Sequence, residues 1–208
     1  MTAELVLYSN PMSRGRIARW MLEEVGEPYR IEVLGYGGRM KSPEFLAINP
    51  MGKVPTLVHG GTVVTETAAI CAYLADAFPE AGLAPAPGSR ERGPYYRWLF
   101  FGAGPVEASS TNLALGVQVP DDRRAMVGYG SREAVLATLE QAVSGREYLA
   151  GDRFSAADLY VGAQIGWGMQ FGTMPRTPAL ETYWSRLAAR PAARRADELD
   201  NALMPKKD

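Results

Sequence analysis

Three features of the sequence predict an α/β domain followed by an all-helical domain. Residues 4–9 and 29–34 are predicted as short strands on either side of an amphipathic helix, the pattern of a parallel βαβ unit. Two further strands, near 56–58 and 62–65, are joined by a glycine pair and followed by a helix. After a segment rich in Pro, Gly and Ala, only helical periodicity remains. We therefore expect a first domain at 1–80, a linker at 81–88 and an all-helical domain at 89–208.

The first predicted helix follows closely on the turn at Asn10-Pro11. Gly26 ends it, and its apolar side chains recur at helical spacing: Ile17, Trp20, Met21, Leu22 and Val25. Ser13 lies at its start, where a hydroxyl ordinarily caps the helix. Arg14 and Arg16 fall in the first turn, although the helix dipole disfavours cations there, which suggests that an anion binds. A thiolate is the candidate, because a helix N-terminus and nearby cations lower the pKa of a thiol.

The second pair of strands brings several chemical groups together in sequence. Pro55 stands at the entrance of the third strand and holds Val54 extended, which leaves the peptide group of Val54 free to pair with a ligand. Glu66 and Thr67 then open the next helix. They are either an ordinary helix start or part of a site for a peptide-like ligand that carries an amine and a carboxylate.

In the second domain the sharpest signal is structural. Ser155 at the N-cap position and Asp158 three residues later form a capping box, with Phe154 and Leu159 placed as a hydrophobic staple. Asp158 is therefore predicted to hold a helix start and not to act as a catalytic acid.

Composition and charge make several classes of function improbable. With 22 Lys and Arg against 23 Asp and Glu, the net charge of -1 gives no reason to expect nucleic acid or an anionic membrane as a partner. The start, MTAELVLYSN, lacks a signal peptide, and no apolar run reaches the roughly 20 residues of a membrane span. We expect a cytoplasmic protein. Cys71 and His59 are the only residues of their types, expected in the core and in a solvated turn, which argues against disulfide chemistry, Ser-His catalysis and a metal site.

The stretch NPMGKVPTLVHGG with the following TETAAICAYL resembles the glutathione-binding half of the glutathione S-transferases. Val54, Pro55 and Glu66 match the family pattern, and Thr67 stands where the family usually has Ser. The segment PMSRGR resembles the active site of serine-type members, which places the catalytic serine at Ser13. Ser9 and Tyr8 remain alternatives, and GDRFSAAD matches a segment of the family's helical domain.

The resemblance implies a thioredoxin-like domain, a helical-bundle domain and a role for each matched residue. The backbone of Val54, before a cis Pro55, would pair with the cysteinyl part of glutathione. Glu66 and Thr67 would hold its γ-glutamyl end. Lys41 and Lys53 are candidates for the glycyl carboxylate.

The implied reaction is attack of the glutathione thiolate on an apolar electrophile, with glutathione as cosubstrate and no metal. Aromatic and sulfur side chains of the second domain are candidates for the electrophile site: Tyr96, Trp167 and Met169. Alternatives are a glutathione-dependent peroxidase or isomerase, or a non-catalytic binding module. The family is also expected to form homodimers, with Met51 inserted into the partner subunit.

Overall fold

The computed structural model describes residues 3–204, which divide into two compact units. The first unit contains residues 3–83 and 190–204, and the second contains residues 84–189. Within the described part of the chain, every helix is too short or too polar to cross a membrane.

The elements of secondary structure are as follows. The strands are β1 Leu5–Ser9, β2 Arg30–Val33, β3 Thr56–His59 and β4 Thr62–Thr65. The helices are α1 Gly15–Val25, α2 Pro43–Ile48, α3 Thr67–Ala77, α4 Arg92–Phe101, α5 Glu107–Ala114, α6 Arg132–Val143, α7 Ala156–Gln170, α8 Pro178–Ala188 and α9 Pro191–Asn201. A π-helical turn, Gly102–Val106, connects α4 to α5.

The strands of the first unit form one mixed sheet in the order β2-β1-β3-β4. β1 and β2 are parallel, whereas β3 is antiparallel to both β1 and β4. In this register Tyr8, Thr56 and Thr65 lie side by side across three strands. The predicted βαβ unit and hairpin are therefore confirmed.

Local sequence signals explain how the sheet is assembled. Gly60 and Gly61 have φ values of 54° and 89°, and this left-handed backbone is the one that a two-residue hairpin turn needs. Gly26 ends α1 with φ 80° and donates its N–H to the carbonyl of Leu22. The apolar side of α1 and the inner faces of the strands and α3 are buried: Leu7, Ile17, Met21, Leu22, Leu57, Ile70 and Leu74.

The C-terminal helix α9 packs against α1 inside the first unit. Arg190 donates two hydrogen bonds to Glu24, at 2.6 and 2.7 Å, and Arg195 lies 2.8 Å from Glu23. Arg19 and Asp200 form a buried ion pair at 3.1 Å. These pairs fix the position of α9 along α1.

The second unit is built around α7, which is buried along most of its length. Gly162 and Gly166 permit this packing, because an added Cβ would lie 2.4 Å from the side chain of Leu187 and 2.5 Å from that of Trp184. The predicted capping box is confirmed, since Asp158 accepts bonds from the N–H and the hydroxyl of Ser155.

Asp158 also accepts hydrogen bonds from elsewhere in the second unit. The N–H of Leu149 and the hydroxyl of Tyr183 each donate to it at 2.7 Å. Burial raises the pKa of its carboxyl group. Asp158 thus joins the start of α7 to the segment at Leu149 and to α8 at Tyr183. This is the structural role that its place in a capping box predicts.

Two expectations for the elements are wrong. Residues 121–149 were expected to be helical throughout, but a 3-10 turn at Asp121–Met126 ends at Val127, whose backbone is extended. Gly130, with φ 66°, lies between this turn and the start of α6. His59 was expected in a solvated turn, but it lies in β3, stacked on Phe78 at 5.4 Å with its Nδ1 2.9 Å from the Tyr73 hydroxyl.

Candidate functional site

The candidate residues of the first unit meet at one edge of its sheet. β1 ends at this edge, β3 begins there and β4 ends there, as the register of Tyr8, Thr56 and Thr65 requires. The chain that carries Ser13 follows β1, Val54 precedes β3, and Glu66 follows β4. Because neighbouring strands are about 4.8 Å apart, the ends of β1 and β4 are about 10 Å apart.

Ser13 is fixed by a compact turn before α1. Its N–H and its hydroxyl both donate to the carbonyl of Asn10, at 3.0 and 2.8 Å, and the N–H of Gly15 donates to its Oγ at 2.9 Å. The Asn10 side chain anchors the turn by donating to the carbonyl of Leu34 at 2.7 Å. The hydroxyl of Ser13 therefore accepts the first N–H of α1 from one residue before the N-cap, Arg14, and its own proton points to a backbone carbonyl.

The two alternatives to Ser13 occupy different surroundings. Ser9 is only 1% exposed, and its Oγ lies 1.9 Å from the position that a Cβ on Gly15 would take. The backbone of α1 thus covers this hydroxyl. Tyr8 points to the opposite face of the strand, where its ring lies 5.4 Å from that of Phe45. Ser13 is also largely buried, at 9% exposure, and its Oγ lies 3.0 Å from the same Cβ position on Gly15.

Val54 presents an unpaired peptide group at the edge of the sheet. The Val54–Pro55 bond is cis, and within residues 3–204 neither the N–H nor the C=O of Val54 is hydrogen-bonded. The preceding carbonyl, of Lys53, accepts bonds from Asn49 at 2.9 Å and Thr56 at 3.0 Å, which hold the segment in place. The side chain of Lys53 is exposed.

Glu66 has the only positive φ among the non-glycine residues of the described chain, 65°. Such a conformation costs about 1–3 kcal/mol and persists only where its surroundings impose it. Glu66 precedes the first turn of α3, and its exposed carboxylate has no ion pair or hydrogen bond within the described residues. Thr67, which begins α3, is buried. The strained backbone holds a charged side chain beside a helix N-terminus.

The two lysine candidates differ in their surroundings. The Lys41 ammonium donates to the carbonyls of Met51 and Gly52, at 3.1 and 2.8 Å, and so closes the turn before Lys53. Two of its three N–H groups are thereby used within the protein. Met51 itself is 64% exposed.

The interpretation of Arg16 as a cation awaiting an anion is wrong. Its guanidinium donates to the carbonyl of Pro11 at 2.7 Å, to Asp197 at 2.6 Å and to Asn201. The charge of Arg16 is therefore matched by a carboxylate of α9.

The three candidates for the electrophile site lie in the second unit. Tyr96 on α4 is 42% exposed, and the guanidinium of Arg92 lies 5.0 Å above its ring. Trp167 on α7 is partly buried and meets Phe171 edge to face at 6.4 Å, whereas Met169 is buried.

Sequence reasoning missed a polar network in the second unit. The hydroxyl of Tyr160 and the amide of Gln164 both donate to the carboxylate of Glu107 at 3.3 Å. The one available signal was Gln164, a polar residue within the apolar run of α7.

A mixed four-stranded sheet with a cis-proline before β3, joined to a helical unit, defines a two-domain protein of the thioredoxin-like and helical-bundle type. Comparison with protein families gives the same result. The model described as "Glutathione S-transferase, N-terminal domain" matches residues 12–77, and "Glutathione S-transferase, C-terminal domain" matches residues 125–191. The chain belongs to the glutathione S-transferase family, and the predicted family and fold class are confirmed.

Individual relatives agree with this assignment. Glutathione S-transferase GST-4.5 of Xanthomonas campestris pv. campestris is 30% identical, over 78% of this chain and 82% of the relative. Disulfide-bond oxidoreductase YfcG of Escherichia coli is 31% identical, over 91% of this chain and 93% of the relative. The solved structure of a sphingomonad glutathione S-transferase complexed with glutathione is 30% identical, covers 94% of this chain and 98% of its own, and superposes with a TM-score of 0.76.

Proposed function

We propose that this protein is a glutathione transferase that joins the glutathione sulfur to an apolar electrophile. The observation that carries the proposal is the unpaired peptide group of Val54, at the sheet edge where the N-termini of α1 and α3 also lie. An extended peptide can pair with the free N–H and C=O of Val54 through main-chain hydrogen bonds, as it does in strand addition. Helix N-termini on either side favour a ligand that carries negative charge at two points.

Glutathione fits these points in charge, because its thiolate and its γ-glutamyl carboxylate are both negative. Its cysteinyl backbone would pair with Val54, and its γ-glutamyl carboxylate would accept bonds from Thr67 at the start of α3. The free carboxylate of Glu66 would bind the γ-glutamyl amine, and Lys53 with the remaining N–H of Lys41 would serve the glycyl end.

Ser13 is the proposed catalytic residue. To stabilise a thiolate, its hydroxyl must turn from the Asn10 carbonyl to the sulfur, while its Oγ keeps the bond from Gly15. A hydrogen bond to the charged form and the N-terminus of α1 both lower the pKa of the thiol. The thiol proton leaves to solvent, and the sulfur electron pair forms the new bond to an electrophilic carbon of the substrate. The electron pair of the bond that breaks at this carbon departs with the leaving group of the substrate.

The electrophile site and the quaternary structure are extensions of this proposal. Tyr96, Trp167 and Met169 remain its candidates for contact with an apolar substrate, in keeping with their aromatic and thioether side chains. Met51, exposed on the turn before Lys53, is the proposed contact of a homodimer. We also propose that the protein acts in the cytoplasm.

A second candidate is glutathione-dependent disulfide reduction, which the name of the Escherichia coli relative suggests. Cys71 is fully buried, and burial raises the pKa of its thiol. The protein would therefore add no thiol of its own, and two glutathione molecules would supply both electrons and leave as glutathione disulfide.

Glu66 provides the test of the proposed function. Its charge-assisted bond to the glutathione amine should contribute about 1.5–3 kcal/mol, so Glu66→Ala should weaken binding by roughly tenfold or more in calorimetry. Glu80→Ala, which removes an exposed carboxylate from the turn after α3, is the matched control and should leave binding unchanged. Unchanged affinity in folded Glu66→Ala would refute the site. Product analysis with electrophiles and with disulfides then separates the two reactions.

A further inference from the structure

Arg16 joins the serine loop, residues 10–15, to α9. Its Nε–H donates to the carbonyl of Pro11 at 2.7 Å. Its Nη1 donates to the carboxylate of Asp197 at 2.6 Å, and its Nη2 donates to the amide oxygen of Asn201. The side chain is only 19% exposed. Every nitrogen of the guanidinium is thus engaged, one with the loop and two with α9.

The two acceptors on α9 determine the direction of the bond to the loop. A guanidinium is a rigid plane, so fixing two of its nitrogens also fixes the third. Asp197 and Asn201 are four residues apart on one face of α9, and the Asn201 amide donates to Asp197 at 3.3 Å. This bond fixes the two acceptors of Arg16 relative to each other.

Pro11 transmits this constraint to the hydroxyl of Ser13. It lies two residues before Ser13, within the turn that the Asn10 carbonyl closes with bonds from the Ser13 N–H and hydroxyl. The carbonyl of Ser13 in turn accepts from the N–H of Arg16 at 3.2 Å. Arg16 thus contacts the loop before and after the serine, and a change in its orientation shifts both points.

We propose that Arg16, oriented by Asp197 and Asn201, is a positioning residue: it holds the Ser13 Oγ where the hydroxyl can turn from the Asn10 carbonyl to the glutathione sulfur. The inference rests on the proposed function, and it gives the C-terminal helix a part in thiol activation. Arg16 does not contact the thiolate in this proposal. It acts indirectly, by fixing where the loop places the Ser13 hydroxyl.

The test replaces the acceptors on α9 and leaves Arg16 and Ser13 in place. In the double variant Asp197→Ala/Asn201→Ala we expect the pKa of enzyme-bound glutathione, measured from thiolate absorbance against pH, to rise by about half a unit, or roughly threefold in the ionisation constant. Direct electrostatics has the opposite sign, because removing a carboxylate near a thiolate lowers the thiol pKa. A rise therefore supports positioning, and a fall or no change overturns it.

A second variant and a control isolate Arg16. Arg16→Lys keeps the charge but cannot bridge three acceptors with a planar fork, so it should raise the same pKa. Arg195→Met removes a different link between α9 and α1, the exposed pair with Glu23, which retains its bond from Tyr29. This control should leave the thiol pKa unchanged. An equal rise in the control would assign the effect to the docking of α9 as a whole and overturn the role of Arg16.

Amide hydrogen exchange in the ligand-free protein tests whether Arg16 orders the serine loop, and it does so without glutathione. The N–H groups of Ser13 and Gly15 should exchange several-fold faster in Arg16→Lys and in the double variant, and at the wild-type rate in Arg195→Met. If the wild type binds no glutathione but exchange follows this pattern, the proposed function fails and Arg16 still orders the loop. Unchanged exchange in Arg16→Lys and in the double variant overturns the role of Arg16, whatever glutathione does.

Discussion

The buried ion pair between α1 and α9 predicts an unusual dependence of stability on pH. Arg19 is 3% exposed and Asp200 1% exposed, with Nε and Oδ1 3.1 Å apart. Burial raises the pKa of the Asp200 carboxyl to about 6, against the opposing attraction of Arg19 and Arg16. The loss of hydration thus outweighs the attraction between the paired charges.

The sign of the effect follows from proton binding in the two states. An unfolded Asp has a pKa near 3.9, so between about pH 4 and pH 6 the native protein holds a proton at Asp200 that the unfolded chain has lost. The contribution of Asp200 to the free energy of unfolding is therefore fully present below the pKa of the unfolded chain. It is lost as the pH rises through the pKa of Asp200 in the folded protein. A difference of about two units corresponds to about 3 kcal/mol at pH 8.

Asp200→Asn removes this proton without changing the size of the side chain. Urea unfolding of the two proteins from pH 4 to pH 8 should show the wild type losing about 3 kcal/mol relative to the variant as the pH rises. If the free energy of unfolding of the wild type instead increases relative to that of Asp200→Asn as the pH rises, then Arg19 stabilises the carboxylate and the reasoning is refuted. The carboxyl ¹³C shift of Asp200 gives the pKa directly.

Two further predictions concern the site and the quaternary structure. Ser13→Ala should raise the pKa of bound glutathione by about one unit and cost about 1 kcal/mol of stability through the lost cap, whereas Ser9→Ala should leave the thiolate titration in place. A shift in Ser9→Ala alone would transfer the catalytic role to Ser9. Sedimentation at micromolar concentration should show a dimer that Met51→Asp weakens, and a dimer unaffected by this substitution would refute the role of Met51.

Local chemistry made much of the fold predictable. The Gly60-Gly61 pair has the positive φ values that a tight hairpin needs, and Gly26 ends α1 in the left-handed conformation. The capping box of Ser155 and Asp158 forms as its spacing predicts. Each of these signals is complete within a few residues, so no tertiary information was needed.

The packing of α9 with the first unit could not be predicted in the same way. Its docking depends on charge pairs between residues far apart in the chain, such as Arg190 with Glu24 and Arg19 with Asp200. A charged helix gives no sequence signal for its partner, because ion pairs have no periodicity.

The choice between Ser9 and Ser13 was also beyond the sequence. Both hydroxyls lie where β1 passes into α1, and either spacing is compatible with a residue that faces a ligand. The structure distinguishes them by their distance from Gly15: a Cβ on this residue would lie 1.9 Å from the Ser9 Oγ and 3.0 Å from the Ser13 Oγ. A substitution to Ala at Gly15 would have to displace the Ser9 hydroxyl or the helix, and so the glycine keeps Ser9 covered.

The contacts of Arg16 change how the proposed activation of the thiol should be explained. The sequence placed two arginines in the first turn of α1 and suggested that their charge lowers the thiol pKa. In the structure the charge of Arg16 is balanced by Asp197, so the pair presents little net field to a ligand at the sheet edge. If the protein activates glutathione as proposed, the N-terminus of α1 and a hydrogen bond from Ser13 would lower the thiol pKa more than Arg16 does. A hydrogen bond is far more sensitive to displacement than a charge at a distance, so under this proposal the orientation of the loop would matter more than the charge of Arg16.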